Sequence, residues 1–259
     1  MTPYPAHEHS LSRAVSIRAE RETVFRYFTD PERFAMWWGA GSNIDARPGG
    51  RLVIRYPNGV LATGEVLEVH APERIVFTYG YEDPGKPIPP GGSRVTITLE
   101  EEPSGTMLRL VHALADAAAR DAHVPGWRYQ LAVFANVVAR EQHAKLADVV
   151  DRYLAAWNEA DAGKRRELLA SSTVPDVAFA DGFGCVRGQD ELEGHIAAAR
   201  MHRPGMTLSR AGDPRQCQGT AVCDWLAAGP DGATAARGTN VLDLAPDGRL
   251  ARIVGLWSA

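Results

Sequence analysis

The residues best suited to chemistry lie in the second half of this 259-residue chain. Asp181 stands between Phe179 and Phe183 in the run FADGF, an apolar neighbourhood in which a poorly hydrated carboxylate becomes a better base. The same residue precedes a glycine at a strand end, where Asp often closes its own turn by accepting backbone N–H groups, and the two readings stand level. His195 would complete an acid/base pair with Asp181 if Leu192, Ile196 and Ala199 mark the buried face of its helix; otherwise it is a boundary histidine. His195 and His202 share a helix face, but a zinc site needs further ligands to converge and nothing else points to one, so no metal or other cofactor is expected. Asn240 falls in the strand-like GTNVLDL, where Asn is depleted and wants a reason. Tyr153 and Trp157 sit on the apolar face of a helical stretch, a place where core packing is the commoner role and the phenol still needs a partner. Asp224 and Asp243 are strand carboxylates, best explained by cross-strand pairing with Arg252 or Arg237.

The first half offers less. Trp37, Trp38, Trp127 and Tyr129 could stack on a ligand, although aromatics at helix starts more often supply core area. His112, inside the strand-like MLRLVHAL, is either a polar group of a pocket or a satisfied structural histidine. No pair of titratable residues here has a spacing that argues for chemistry, so this half reads as binding and not catalysis. Cys185, Cys217 and Cys223 lack CxxC spacing and read as reduced, mostly buried thiols, with a Cys217–Cys223 redox pair as the alternative.

These residues need elements to hold them. The length favours two domains, each large enough for its own core, and a composition of 45% hydrophobic and 23% charged residues is that of a globular protein. There are 16 Lys and Arg against 17 Asp and Glu through Lys145, and 12 against 15 after it. Neither half has the positive field that nucleic acid or an anionic membrane demands. No apolar run approaches a membrane span, and Met1–Ser10 has no signal-peptide core, so a cytoplasmic protein is expected.

In the first half, Leu11–Ile17 reads as a strand, Glu20–Phe28 and Pro31–Trp38 as short helices, and five alternating runs between Arg51 and Ala113 as an antiparallel meander. A long amphipathic helix from Trp127 to Val149 would follow Pro125-Gly126 and lie across the sheet. Gln142–Trp157 has no Gly or Pro, which predicts a rigid, even continuous, helical junction between domains at 1–145 and 146–259. In the second half, helices at Val149–Ala162 and Gly163–Ala170 precede a strand at Asp176–Asp181, a loop and a helix at Gly188–His202. Strands near Thr207–Arg210, Gln216–Ala228, Thr234–Ala245 and Arg249–Trp257 then form a bent antiparallel sheet. The fold class is α+β with two domains.

The runs VFRYFTDPERFAMWWG, RPGGRL, GEVLEVHAPERIVFTY, RVTITLE and GWRYQL between Val24 and Leu131 resemble START-like helix-grip (SRPBCC) proteins of the bacterial branch named after the activator of the heat-shock-protein-90 ATPase. That resemblance implies a cavity between the long helix and the sheet for an apolar or amphipathic ligand, with Trp127 and Trp38 as candidate contacts. The chaperone role in the family name goes, in eukaryotic activators, with a separate N-terminal domain that this sequence lacks. FADGFGCVRGQDELEGHI and GTNVLDLAPDGRLARIVGLWS resemble the SnoaL-like branch of the nuclear-transport-factor-2-like conical barrels, relatives of ketosteroid isomerase.

Carried over from the isomerase pattern, Tyr153 takes the place of the phenol that donates to the substrate oxyanion, Asp181 that of the general base, Asn240 that of a protonated second Asp, and Trp257 that of a pocket wall. Proton abstraction beside a carbonyl needs such a base and donors where the enolate oxygen gains charge; ketosteroid isomerase itself holds one carboxylic acid neutral so that it can donate there. An amide at position 240 donates without any tuning. Phe179, Trp157 and His195 would complete the ligand wall. The expectations are a protein that binds a small hydrophobic or polyketide-like molecule, or an isomerase or cyclase using the C-terminal pocket, with homodimerisation through the C-terminal sheet.

Overall fold

The computed structural model describes residues 8–258. The first seven residues of the polar N-terminal stretch lie outside them. The chain divides into two compact units, Met1–Val138 and Ala139–Ala259. The fold is mixed α+β, built on two antiparallel-rich seven-stranded sheets.

The N-terminal unit opens with strand β1 (His9–Ile17), helices α1 (Arg21–Arg26) and α2 (Pro31–Trp38) and the short strand β2 (Asn43–Ile44). Strands β3 (Arg51–Arg55), β4 (Leu61–His70), β5 (Arg74–Tyr81), β6 (Ser93–Glu102) and β7 (Gly105–Leu114) form the meander, and β1 returns to pair with β7 in the order β1-β7-β6-β5-β4-β3-β2. Asp30 caps α2, accepting from the backbone N–H groups of Glu32 and Arg33, and Pro31 occupies the first turn, where its missing N–H costs nothing. Helix α3 (Ala117–Gln142) supplies Leu131, Phe134 and Val138 to the core formed with the sheet. Phe134 stacks on Phe28 at 4.9 Å and meets Trp37 edge-on at 4.8 Å.

Helix α3 begins ten residues earlier than the periodicity predicts. Asp116 accepts from the Ala119 N–H at 2.7 Å, and the Ala117–Ala119 run favours helix strongly enough to carry it through Pro125 at the loss of one backbone bond. The helix also ends earlier, at Gln142. A turn at residues 143–145 follows, with the Leu146 N–H donating to the His143 carbonyl, so the junction is broken without Gly or Pro. The Gln142 side chain donates to the Pro246 carbonyl at 2.6 Å, a tertiary contact invisible to periodicity.

The C-terminal unit continues with α4 (Leu146–Asn158), α5 (Ala162–Ser172), β8 (Thr173–Ala180), β9 (Cys185–Arg187) and α6 (Gln189–His202). It finishes with β10 (Thr207–Arg210), β11 (Arg215–Cys217), β12 (Thr220–Ala228), β13 (Thr234–Leu244) and β14 (Leu250–Ser258). The sheet runs β10-β12-β13-β14-β8-β9, with β11 also on β12. Four sequence expectations change here. The GFGCVRG loop contains β9, too short to show a period. A turn through Gln218, at φ 51°, splits the long strand expected from Gln216 to Ala228. Strand β14 pairs with β8 in parallel, so the sheet is not wholly antiparallel. Its path ends at β10 and β9, leaving the cone open.

All three thiols are free, and two, Cys185 and Cys217 on the short strands β9 and β11, are exposed, against the expectation of burial; only Cys223 is buried. Asp243 faces Arg252 at 3.5 Å, as the cross-strand account requires, while Asp224 accepts from the Thr239 hydroxyl. Among the described residues no helix is long and apolar enough to cross a membrane.

Candidate functional site

Period-two alternation aims one row of each strand into the C-terminal unit. In β13 the buried row is Gly238, Asn240, Leu242 and Leu244, so Asn240 is its one side-chain polar member. In β8 the row Val177, Phe179 continues one residue past the strand to Asp181. The buried stripe of α4 (Leu146, Val149, Val150, Tyr153, Leu154, Trp157) has helical spacing and brings Tyr153 and Trp157 to the same interior. Leu192 and Ile196 of α6 are fully buried, which is the register that turns His195 inward.

These rows enclose a cavity of about 550 Å³ lined by Tyr153, Trp157, Phe179, Asp181, His195, Asn240 and Trp257, together with Phe183, Arg203, Met206, Trp225 and others. The seven residues that the sequence offers in this half as catalytic or ligand-wall candidates therefore line one space. Trp225 was missed; as an inward residue of β12 its only signal was the alternation, which does not distinguish core from pocket.

Asp181 closes its own turn and also lines the cavity. Its Oδ1 accepts from the backbone N–H groups of Phe183 and Gly184 at 2.8 and 2.9 Å, closing the turn into β9. Its Oδ2 lies 3.5 Å from His195 Nε2, the two side chains being 4% and 13% exposed. A methyl group at Gly255, paired with Asn240 across β13 and β14, would lie 3.3 Å from Asp181 Cβ and 3.4 Å from Asn240 Oδ1. The missing side chain thus leaves room between carboxylate and amide. Burial, reinforced by the Asp181 charge, raises the Tyr153 phenol well above its ordinary range, while the Trp157 indole acts in the opposite sense. Tyr153 accordingly stays protonated, a donor.

The frame is polar and buried. Arg165 Nε and Nη2 donate to Glu193 Oε1 at 2.9 and 2.6 Å, and Nη1 donates to the Glu159 and Ala160 carbonyls, tying α6 to the end of α4. Arg200 donates to the Trp157 carbonyl, and Asn158 exchanges two hydrogen bonds with the Leu208 backbone. At the rim, Trp257 meets Trp225 at 4.9 Å and Phe183 at 5.3 Å, both edge-on, and the Arg203 guanidinium lies 5.5 Å from its ring centre.

A second cavity, of about 390 Å³, lies in the N-terminal unit and is lined by Trp38 and Trp127, with Trp37, Tyr56, Tyr79, Tyr81 and His123 among its other walls. His112 is the structural histidine of the two alternatives. Its Nδ1 accepts from Trp127 Nε1–H at 3.0 Å, so in the neutral ring Nε2 carries the proton and donates to Ser93 Oγ at 2.7 Å; that hydroxyl donates on to the Tyr79 carbonyl. Among the described residues no three His, Cys, Asp or Glu side chains gather at a possible metal position.

Residues 18–139 match the family described as activator of Hsp90 ATPase homolog 1-like protein. Among solved structures, a SnoaL-like family protein from Agrobacterium tumefaciens strain C58 is 33% identical, the match covering 46% of this chain and 99% of that one, with a TM-score of 0.42. A protein from Chromobacterium violaceum is 28% identical over 50% of this chain and 96% of its own (TM-score 0.42). The Aha1 dimer from Colwellia psychrerythraea is 16% identical over 50% and 96% (TM-score 0.44). No curated protein matches. The chain fits a START-like domain of the Hsp90-ATPase-activator-like family followed by a SnoaL-like domain.

Proposed function

We propose that this protein binds small, largely apolar molecules and that its C-terminal cavity moves a proton next to a carbonyl group of its ligand. The observation that carries the reading is the convergence of Asp181, Tyr153 and Asn240 on one otherwise aromatic enclosure. With Oδ1 held by two backbone N–H groups, Asp181 presents Oδ2 as the base. It would take a proton from the carbon beside the carbonyl, leaving an enolate whose oxygen accepts from the Tyr153 hydroxyl and the Asn240 amide. Return of that proton at a different carbon completes an isomerisation; attack of the enolate carbon on a second carbonyl of the same ligand, with that proton passed to the new alkoxide oxygen, completes a ring closure. Each donor of this kind contributes about 10²–10³ in rate. The SnoaL-like relative from Agrobacterium is itself a suggested isomerase. Pairing of two copies through the outer face of the C-terminal sheet belongs to the same proposal and is supported by Leu226 and Leu256, large apolar residues exposed on β12 and β14.

The test is a thermal-shift screen of cyclic and polycyclic ketones on the wild type and Asp181→Asn, followed by solvent-deuterium exchange into each hit. Exchange by the wild type and its loss in the variant are expected. Binding without exchange in either protein would leave a sequestering module and remove catalysis for those ligands.

A further inference from the structure

The C-terminal cavity carries at its rim a cation that proton transfer does not use. Helix α6 has Arg200 and His202 in its last turn, the ordinary complement to the negative end of a helix, and Arg200 is engaged by the Trp157 carbonyl. Arg203 lies one residue past the helix, is exposed, and lines the cavity. Elsewhere in this unit Arg165, Arg210 and Arg249 each meet a carboxylate. The Arg203 guanidinium meets none among the described residues; what it faces is the Trp257 ring, whose centre lies 5.5 Å from its central carbon.

That ring is held by the sheet. Trp225 of β12 and Trp257 of β14 both stand opposite Gly238 of β13. A Cβ at Gly238 would lie 2.4 Å from the Trp225 ring, so the glycine is what lets this indole lie across β13 and meet Trp257 edge-on at 4.9 Å. A guanidinium held beside an aromatic ring loses part of its hydration and keeps N–H groups free for the two oxygens of one acceptor.

The one carboxylate in the lining, Asp181, is tied to its own turn through Oδ1 and lies beside His195 through Oδ2. Gly255, which adjoins Asp181 and Asn240, and Trp257 are two residues apart on β14, about 7 Å along the strand. With the further reach from ring to guanidinium, the cation stands on the order of 10 Å from the base and the amide. From a free cation on a built aromatic platform at that distance, we propose that the ligand of the C-terminal cavity is a keto acid, with a largely apolar body, a ketone that reaches Asp181 and one carboxylate held by Arg203 at the rim. A carboxylate matches the guanidinium fork and cancels its single charge, whereas a phosphate dianion would leave a charge over. This rests on the reading of the cavity as a ketone site and adds the group at the ligand's far end.

The experiment uses the full chain labelled with ¹³C at the methionine methyls, because Met206 lines this cavity and Met36 the N-terminal one, so each site reports separately. The probes are 4-(4-oxocyclohexyl)benzoate, the corresponding benzamide and the corresponding phenylphosphonate, which keep the ketone and the ring and change the far group. Expected is saturable movement of the Met206 resonance, with the benzoate bound about tenfold more tightly than the benzamide and a preference that shrinks as salt is raised. The preference should vanish in Arg203→Gln, survive in part in Arg203→Lys and survive in full in His202→Gln. Deuterium exchange beside the ketone is followed in the same samples. Equal affinity for benzoate and benzamide, or a preference unchanged in Arg203→Gln, would overturn the keto-acid class, and exchange into the benzamide would then leave the ketone reading standing. Tightest binding by the phosphonate would overturn the carboxylate. Preference for the benzoate without exchange would uphold the Arg203 contact and overturn proton transfer for these ligands. No response of Met206 to any probe would overturn both. If Arg203→Gln does not fold, the three affinities on the wild type and their salt dependence decide.

Discussion

The C-terminal cavity sets a carboxylate, two imidazoles, a guanidinium, a phenol and an amide in one aromatic enclosure, whereas the N-terminal cavity holds four phenols, an imidazole and an amide, with no charged residue in its wall among the described residues. Both are walled by tryptophans. Aromatic lining therefore says only that a ligand would be largely apolar. What separates the two is a carboxylate, Asp181, proposed above as the base, and the way its turn is tied. One carboxylate oxygen is occupied by the backbone and the other is left to the cavity, so the carboxylate is held without being blocked.

The sharpest way to break this contrast is Asp181→Asn. The amide oxygen can still accept from Phe183 and Gly184, so the turn should survive while the base is lost. Proton exchange in the C-terminal cavity is expected to fall by about 10²–10⁴, with thermal stability nearly unchanged and ligand binding at Met36 unaffected. A variant that retains exchange would reassign the base, with His195, 3.5 Å away, as the next candidate. Tyr153→Phe and Asn240→Leu should each lower the rate by about 10² or more. Their effect should fall on turnover more than on affinity, as steady-state kinetics at varied ketone concentration will show; a purely structural role would instead lower the melting temperature.

The fate of these residues also shows how far the sequence could be read. Asn240 was conspicuous because Asn is depleted in strands, and the helical stripe put Tyr153 beside Trp157. For these two the local period is enough, since it fixes which face a side chain takes. Trp225 obeys the same rule and was missed, because an inward tryptophan looks identical whether it fills core or borders a void. The tyrosine cluster was missed for a different reason. Tyr56, Tyr79 and Tyr81 come from β5 and the turn after β3, and His123 from the helical turn before Pro125, so only the register of β4 with its neighbours and the early start of α3 bring them together. Asp116 and three alanines set that start, and a Pro-Gly pair concealed it.

The two histidines offer a smaller and more discriminating test. Both ring nitrogens of His112 are engaged, by Trp127 and Ser93, and its ring is fully buried. His112→Phe leaves the Trp127 N–H and the Ser93 hydroxyl short of partners and should cost about 1–3 kcal/mol in urea unfolding with no change in C-terminal proton exchange. His195→Gln should do the reverse, altering the pH profile of exchange while unfolding moves little. Equal effects of the two on stability alone would mean that His195 is also structural, and the contrast between the cavities would shrink to Asp181.

The smallest expected effect is alkaline. Burial raises Tyr56 and Tyr79 in the N-terminal unit and Tyr153 in the C-terminal unit above their ordinary value near 10. In the unfolded chain each phenol releases its proton near pH 10; in the folded chain it keeps it to higher pH. Below pH 10 both states hold the same protons and stability is flat in these groups. Above it the unfolded state binds fewer protons, so stability falls by about 1.4 kcal/mol per pH unit for each such tyrosine until the folded phenol also ionises. In this range the N-terminal unit loses stability through Tyr56 and Tyr79, and the C-terminal unit through Tyr153 and through Cys223, whose thiol burial pushes up to about 11. Amide exchange read separately over residues 8–138 and 139–258 measures the two slopes. Tyr56→Phe should make the N-terminal slope shallower by about 1.4 kcal/mol per pH unit, and an unchanged slope would show that burial does not hold Tyr56 protonated.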